Sequence, residues 1–232
     1  MSARFPGAAV VVALIGWTAG CVTHRPSYRG PWIHRSFYEE PRRELPATVV
    51  VVPSLAKAWT LHEQGSQSTY EYDPQASVER ARRLDALLAS TAERAPMRLQ
   101  PLPDLDADEV ATLDAHLGLF RSVAKAAAGA GKHYGTPSFK LREFDYTLGP
   151  GLAWLRERSG ADAALCVFEV GFDRTGEVFF GLVDLCSGDL LWLEESGYFS
   201  AEDDDNSEAR MIEQMWNVYP GLDAFAAVRE AS

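Results

Sequence analysis

Ten positions from Ala8 to Trp17 run apolar, with Arg4 as the charge ahead of them and the small residues Thr18, Ala19 and Gly20 behind. A short cationic tip, an apolar run and then small residues is the pattern of a secretory signal. The run is too short to span a bilayer, which takes about 20 apolar residues. From residue 21 to 46 the pattern dissolves. Pro26, Pro31, Pro41 and Pro46, with Gly30 and five Arg, leave no period of 2 or 3.6. This stretch reads as an extended tether. Trp32, Ile33, Phe37 and Tyr38 interrupt it, and two placements are open for them: docked on the body, or at the membrane interface. Limited proteolysis is expected to cut the tether, at Arg42 and Arg43 among other sites, and to release a body starting near residue 45.

Residues 47–232 read as a single domain. Thr48 to Val52 is a β-branched run closed by Pro53, the signature of a strand buried on both faces. Gln64 to Tyr72 is polar, a loop or a short edge hairpin. Asp73-Pro74 opens a helix as N-cap and first residue. Its apolar stripe is Val78, Ala81, Leu84, Leu88 and Ala92, with Arg80, Arg82 and Arg83 pointing largely away. Met97 to Pro101 alternates and is bounded by Pro, which suits a short edge strand. Asp104 or Asp106 caps the next helix. Asp106 is the better candidate because Glu109 follows by three. Val110, Leu113, Leu117, Phe120 and Val123 form that helix's apolar face, which fades in Ala126 to Gly131.

Leu141 to Arg158 is helical in pattern but broken at Gly149-Pro150-Gly151, where a fresh helix starts from Leu152. Three strands follow, Ala163 to Phe172, Glu177 to Leu185 and Asp189 to Glu195, joined by turns ending in Gly176 and Gly188. A last helix runs through Met211 and Met215, and a short amphipathic segment lies around Phe225. The order implies an α+β fold: a two-layer sandwich of helices on a mixed, mostly antiparallel sheet, with a C-terminal three-stranded meander.

Composition changes this picture little. Of 232 residues, 47% are hydrophobic and 11% aromatic, enough for a real core. The charge is more telling. The net value is −11, or −12 without Arg4. Residues 21–46 hold five Arg and three Glu, a net +2, which leaves the remainder at −14. A basic segment suits anionic head groups. An acidic body is repelled by nucleic acid, whose binding rests on neutralised phosphates.

Thr18-Ala19-Gly20-Cys21 resembles the lipobox of bacterial lipoproteins, in which the Cys is lipidated and begins the mature chain. Thr18 stands where Leu is most frequent. That resemblance implies a lipid on Cys21. Val22 rather than Asp after it implies the outer membrane. Residues 181–192, Gly-Leu-Val-Asp-Leu-Cys-Ser-Gly-Asp-Leu-Leu-Trp, look like the Asp-x-x-Thr-Gly-Glu-x-x-Trp hairpin of envelope lipoproteins. Those include the curli-secretion lipoproteins and the activators of penicillin-binding proteins. Ser187 replaces the Thr and Asp189 the Glu. The β-run ending in Pro53 and the helix, Gly-Ala-Asp and strand of Leu152 to Ala164 are also similar. The likeness spans about residues 47–196. It implies an α/β domain tethered to the outer membrane that binds proteins. A curli-type pore needs two further long alternating strands, and no spare pair is expected.

Catalytic and ligand-binding patterns are sparse. Gly129-Ala130-Gly131-Lys132 lacks the first Gly and the Ser or Thr of a phosphate loop, with Ala126 and His133 in those places. It reads as the small-residue end of a helix. His24, His34, His62, His116 and His133 offer no pair four apart for a metal. Glu202 to Asn206 clusters carboxylates without the spacing of a calcium loop and reads as a solvated helix cap. Glu169 and Asp184 interrupt apolar strands, and with a three-residue loop between those strands they lie on opposite faces of the sheet. Ser159 and Ser187 lack a nucleophile elbow. No cofactor, metal or catalytic residue is assigned.

Three functions stand on this reading. The first is a non-enzymatic binding or accessory module for another envelope protein, held to the membrane through Cys21. The second is an envelope hydrolase whose Ser, His and Asp converge from a distance. The third is a subunit of a lipoprotein assembly built by sheet-edge pairing. Last, Cys166 and Cys186 are expected to stay unpaired. A three-residue loop, Arg174 to Gly176, sets Asp173 opposite Glu177 and Cys166 opposite Asp184. The two Cys are then diagonal, about 7–8 Å apart, beyond the roughly 4.4–6.8 Å that a disulfide takes.

Overall fold

The computed structural model describes residues 32–39, 44–64, 67–133, 144–173, 175–196 and 199–200, with 212, 215 and 216. In chain order the elements are β1 (Trp32–Ile33), α1 (Ser36–Glu39), β2 (Thr48–Val51), β3 (Leu55–Gln64), β4 (Gln67–Asp73) and α2 (Pro74–Thr91). Then come β5 (Arg98–Gln100), α3 (Ala107–His133), α4 (Ala153–Ser159), β6 (Ala163–Phe172), β7 (Thr175–Asp184), β8 (Leu190–Glu195) and β9 (Phe199–Ser200). One sheet runs β1-β8-β7-β6-β2-β5. The hairpin β3–β4 joins it through a parallel pairing of β3 with β6, and β9 pairs with β7. β2 is likewise parallel to both β5 and β6, and the pairings other than these three are antiparallel. This is the mixed, mostly antiparallel sheet with its β6–β7–β8 meander that the pattern implies.

Alternation along β6 divides the core. Ala164, Cys166, Phe168 and Val170 pack with Leu113, Leu117, Phe120 and Ala124 of α3 and Leu155 of α4. Ala163, Leu165 and Val167 pack on the other face with Leu84 and Leu88 of α2 and with Ile212, Met215 and Trp216. Helices therefore cover both sheet faces, which adds a third layer to the two expected. Val49 and Val50 of β2 are fully buried, one in each half of the core.

The caps form as their residues dictate. Asp73 accepts the Ala76 N–H at 2.9 Å. Asp106 accepts the Glu109 N–H at 2.9 Å while Glu109 accepts the Asp106 N–H at 3.0 Å, a capping box. The stripes differ from the expected ones. In α2 the buried residues are Ser77, Leu84, Leu88 and Thr91, and Val78 is exposed. Ser77 goes inward because its hydroxyl donates to the Asp73 carbonyl and accepts the Ala58 N–H. Arg80 turns inward as well, to an ion pair with Glu169. In α3 Val110 is exposed, and Ala124 and Ala127 extend the buried face instead.

Two further expectations are corrected, and one open alternative is decided. From Phe144 to Gly149 the chain is not helical: Phe144 bridges to His34 and Thr147 to Asp189. Gly149, at φ +76°, sets the start of a 3-10 turn, Pro150–Leu152, that leads into α4. A Cβ on Gly188 would fall 1.9 Å from the Gly149 carbonyl oxygen, so this close passage needs glycine at 188, while Gly149 is favoured by its own positive φ. Of the two readings of Gln64 to Tyr72, the edge hairpin is the one seen, and it is longer than its polar stretch suggests, because its first strand starts at Leu55. Finally, Phe172 faces Thr175, so β6 and β7 join through two residues and not three. Asp173 supplies the positive φ, 49°, that is expected of Gly176. Facing positions then sum to 347. Cys166 faces Gly181, and Cys186 sits exposed in the β7–β8 turn. Both cysteines are unpaired, as expected, though by a different register.

Of the two placements for the hydrophobic residues in the 21–46 stretch, docking is the one seen. Trp32 and Ile33 are buried as β1, paired to Leu193 and Trp192. Phe37 packs against the α2-side core. The folded body thus reaches back to residue 32. Arg42, Arg43, Cys21 and the acidic run 202–206 lie outside the described residues.

Candidate functional site

The β3–β4 hairpin builds a row of rings. Facing residues in a sheet share a face, and Trp59 faces Phe172 of β6 on one side and Tyr72 of β4 on the other. Trp59 stacks on Phe172 with centroids 5.0 Å apart, and Tyr72 meets Trp59 edge-on at 6.1 Å. Tyr70, two residues along, meets Phe172 edge-on at 5.6 Å. Aromatic pairs in these geometries hold one another beyond their area of contact. The outer rings stay in water all the same: Tyr70 and Tyr72 are each 53% exposed. Two half-exposed tyrosines side by side on an edge strand present rigid amphipathic rings of the kind enriched at interfaces.

The row is fixed from below. The Asp173 N–H donates to the Trp59 carbonyl at 2.7 Å. Thr60 donates to the Asp73 carboxylate at 3.2 Å, tying the hairpin to the cap of α2. The Ala76 amide, opposed by some burial and aided by Thr60, holds the Asp73 carboxyl below its usual range. Arg80 reaches across from α2, donating to the buried Glu169 carboxylate and to the Asp173 carbonyl. A Cβ on Gly171 would strike that guanidinium at 2.4 Å, so the glycine leaves the path open.

Cations border the rings. Lys57 faces Val170, on the same side of β3 as Trp59. Lys125 of α3 holds its Nζ 5.9 Å from the Phe168 ring centroid. Its pKa is lowered, chiefly by burial and then by the positive charges of Lys57 and Arg121, with Glu177 opposing. Lys125 thus has two cations, Lys57 and Arg121, and one acid, Glu177, near it on a body that is otherwise acidic, and the excess of positive charge there favours an anionic neighbour. Rings beside them fit the aromatic and Arg-rich chemistry of protein interfaces.

Other sequence candidates are not brought together. His62 is exposed beside Glu71, 3.9 Å away. His116 bonds the Thr112 carbonyl one turn back. Among the described residues no three His, Cys, Asp or Glu are placed to hold a metal. Glu169 and Asp184 share a face, contrary to the expected register, because Asp184 faces Ala163. Six positions along β6 separate them, so they are still no acid/base pair. Asp184 instead accepts the N–H groups of Cys186 and Ser187. Residues 129–132 are helical backbone within α3, not a phosphate loop. Ser159 and Ser187 serve local backbone bonds.

One trio does converge. The Ser36 hydroxyl lies 2.8 Å from His34 Nδ1, and His34 Nε2 lies 3.5 Å from Asp145. Ser36 and His34 are buried, two residues apart, at the start of α1. The Arg35 N–H donates to the Phe144 carbonyl at 2.8 Å, and its guanidinium pairs with Asp145 at 3.0 Å. A nucleophile has to meet its substrate. This trio is a staple between the docked N-terminal segment and residues 144–145. A groove of about 420 Å³ lies between α2 and the ends of β2 and β5. Its walls are Val51, Val52, Leu88, Leu99 and Leu102, with Asp85 and Gln100 as polar members. It contains no Ser, Cys, His or Lys.

Sequence reasoning missed Trp59, Tyr70 and Tyr72 as a site. The signal was there in Ser68-Thr69-Tyr70-Glu71-Tyr72, whose alternation puts both tyrosines on one face.

No protein-family model matches the chain, and no curated protein does. Among solved structures it is similar to lipoprotein GNA1162 from Neisseria meningitidis, at 16% identity and a TM-score of 0.33, over 80% of this chain and 96% of that one. It is similar to the LpoB C-terminal domain from Salmonella enterica, at 15% identity and a TM-score of 0.29, over 72% and 92%. For E. coli LpoB the values are 12% identity and a TM-score of 0.30, over 86% and 84%.

Proposed function

We propose that this protein is a lipoprotein held through Cys21 at the periplasmic face of the outer membrane. Its body is a non-enzymatic accessory module that docks another envelope protein on the β3–β4 hairpin. The observation that carries the docking role is the row Phe172, Trp59, Tyr72 and Tyr70, with its two outer rings exposed and cations beside it. The anchoring role is supported by the apolar run, the small residues and Cys21 in sequence. A partner that fits presents carboxylates and an apolar surface together.

In-membrane crosslinking on the full chain tests this. The wild type is expected to capture a defined envelope protein, and Tyr70→Ser with Tyr72→Ser to lose it while staying folded, with a melting temperature lowered only by the loss of the two ring contacts. Cys21→Ser is expected to give an unprocessed or soluble chain. Capture of the same partner at undiminished yield by the double tyrosine variant overturns the docking face. Processing and membrane partition of Cys21→Ser as in the wild type overturn the anchor.

A further inference from the structure

The sheet ends in edges of unequal character. β5 is three residues long, begins with Arg98 and is followed by Pro101 and Pro103. β1 and β9 are two residues each. Short strands, cations and prolines are the usual guards against edge pairing. β4 is guarded only at its end, where Pro74 follows it. It is seven residues long, carries no Lys, Arg or Pro within the strand, and runs against β3 without a bulge from Asp73 to Gln67. Among the described residues β3 is its one strand neighbour. A long regular edge with unpaired N–H and C=O groups is a template for another strand.

We propose that this strand is the β4 of a second copy, paired antiparallel with Tyr70 facing the second copy's Tyr70. A two-fold axis perpendicular to the sheet keeps each face on its own side, so the register must be centred on one residue. Centring on Glu71 sets two carboxylates face to face, which is unfavourable. Centring on Tyr70 sets Glu71 opposite the second copy's Thr69, Tyr72 opposite Ser68 and Asp73 opposite Gln67. Every acid then faces a hydroxyl or an amide. The two aromatic rows meet at the central tyrosine pair and form one platform twice as wide. The reading deepens the docking face and rests on it for its purpose, although the pairing itself needs no partner.

Thr69 and Glu71 are both exposed, so changes there leave the body folded. The processed full chain in detergent is followed by sedimentation over a concentration series, with chemical crosslinking in membranes alongside. The wild type is expected to be dimeric. Thr69→Glu places like charges opposite each other twice and is expected to weaken the dimer about tenfold or more. Adding Glu71→Lys to Thr69→Glu turns both repulsions into attractions and is expected to restore it. A wild type that is monomeric throughout overturns the proposal. So does a dimer indifferent to Thr69→Glu, or one weakened by it and not rescued. Partner capture by the Thr69→Glu monomer reports on the docking face separately, so the two failures are distinguishable.

Discussion

Burial lifts the carboxyl of Glu194 to about 7, and one of its oxygens has no hydrogen-bond partner among the described residues. An acid raised in the folded chain binds its proton more tightly there than when unfolded. Its contribution is therefore intact below the unfolded value of about 4.3 and is lost as pH climbs towards 7. Glu194→Gln is expected to remove that slope and to stabilise the chain at pH 8 by about 1–3 kcal/mol. Chemical denaturation at about pH 5 and about pH 8 checks it: an equal effect at both values sinks the assignment. Cys166 shows the same physics in a thiol, which burial pushes up to about 12, so it stays inert at ordinary pH.

At the scale of elements, the hairpin depends on a crossing from α2. Arg80, expected on the solvent side, instead neutralises Glu169, which is 1% exposed. Removing one member of a buried pair leaves an uncompensated charge. Arg80→Met is expected to cost about 3–5 kcal/mol, and Glu169→Leu added to it to recover most of that. Additive losses in a double-mutant cycle would refute the coupling. Periodicity alone cannot find this pair, because an amphipathic pattern assigns every Arg to the water side. The elements that are legible rest on local chemistry. The cap at Asp73, the box at Asp106 and Glu109, the β-branched run of β2 and the meander all follow from neighbours a few residues apart. What is not legible rests on contacts far along the chain. β3 reads as mixed because Trp59 and Lys57 face one way and Ala56 and Ala58 the other, and it becomes a strand by pairing with β6. Gly176 has the chemistry of the turn residue, yet Asp173 takes the positive φ. The docking row shows in sequence only as an alternation whose companions, Trp59 and Phe172, come from other strands.

For the whole molecule, the boundary between tether and body moves. Trp32 is 6% exposed and Ile33 5%, and both are paired to β8. Trypsin on the intact protein is expected to leave a stable fragment that still contains Trp32, in place of one starting near residue 45. Mass spectrometry of the resistant fragment reads the start directly, and a start beyond residue 43 would contradict the docked segment. Trp32→Ala should shift the start in that direction. The docking also shortens the leash. Ten residues lie between Cys21 and Trp32. Fully extended, the eleven steps from Cys21 to the body span at most about 36–40 Å, against about 90 Å had the body begun at residue 47. With Cys21 seated, as proposed, in the periplasmic leaflet of the outer membrane, the hairpin works close to that surface. A partner anchored on the far side of the periplasm has to cross the gap itself.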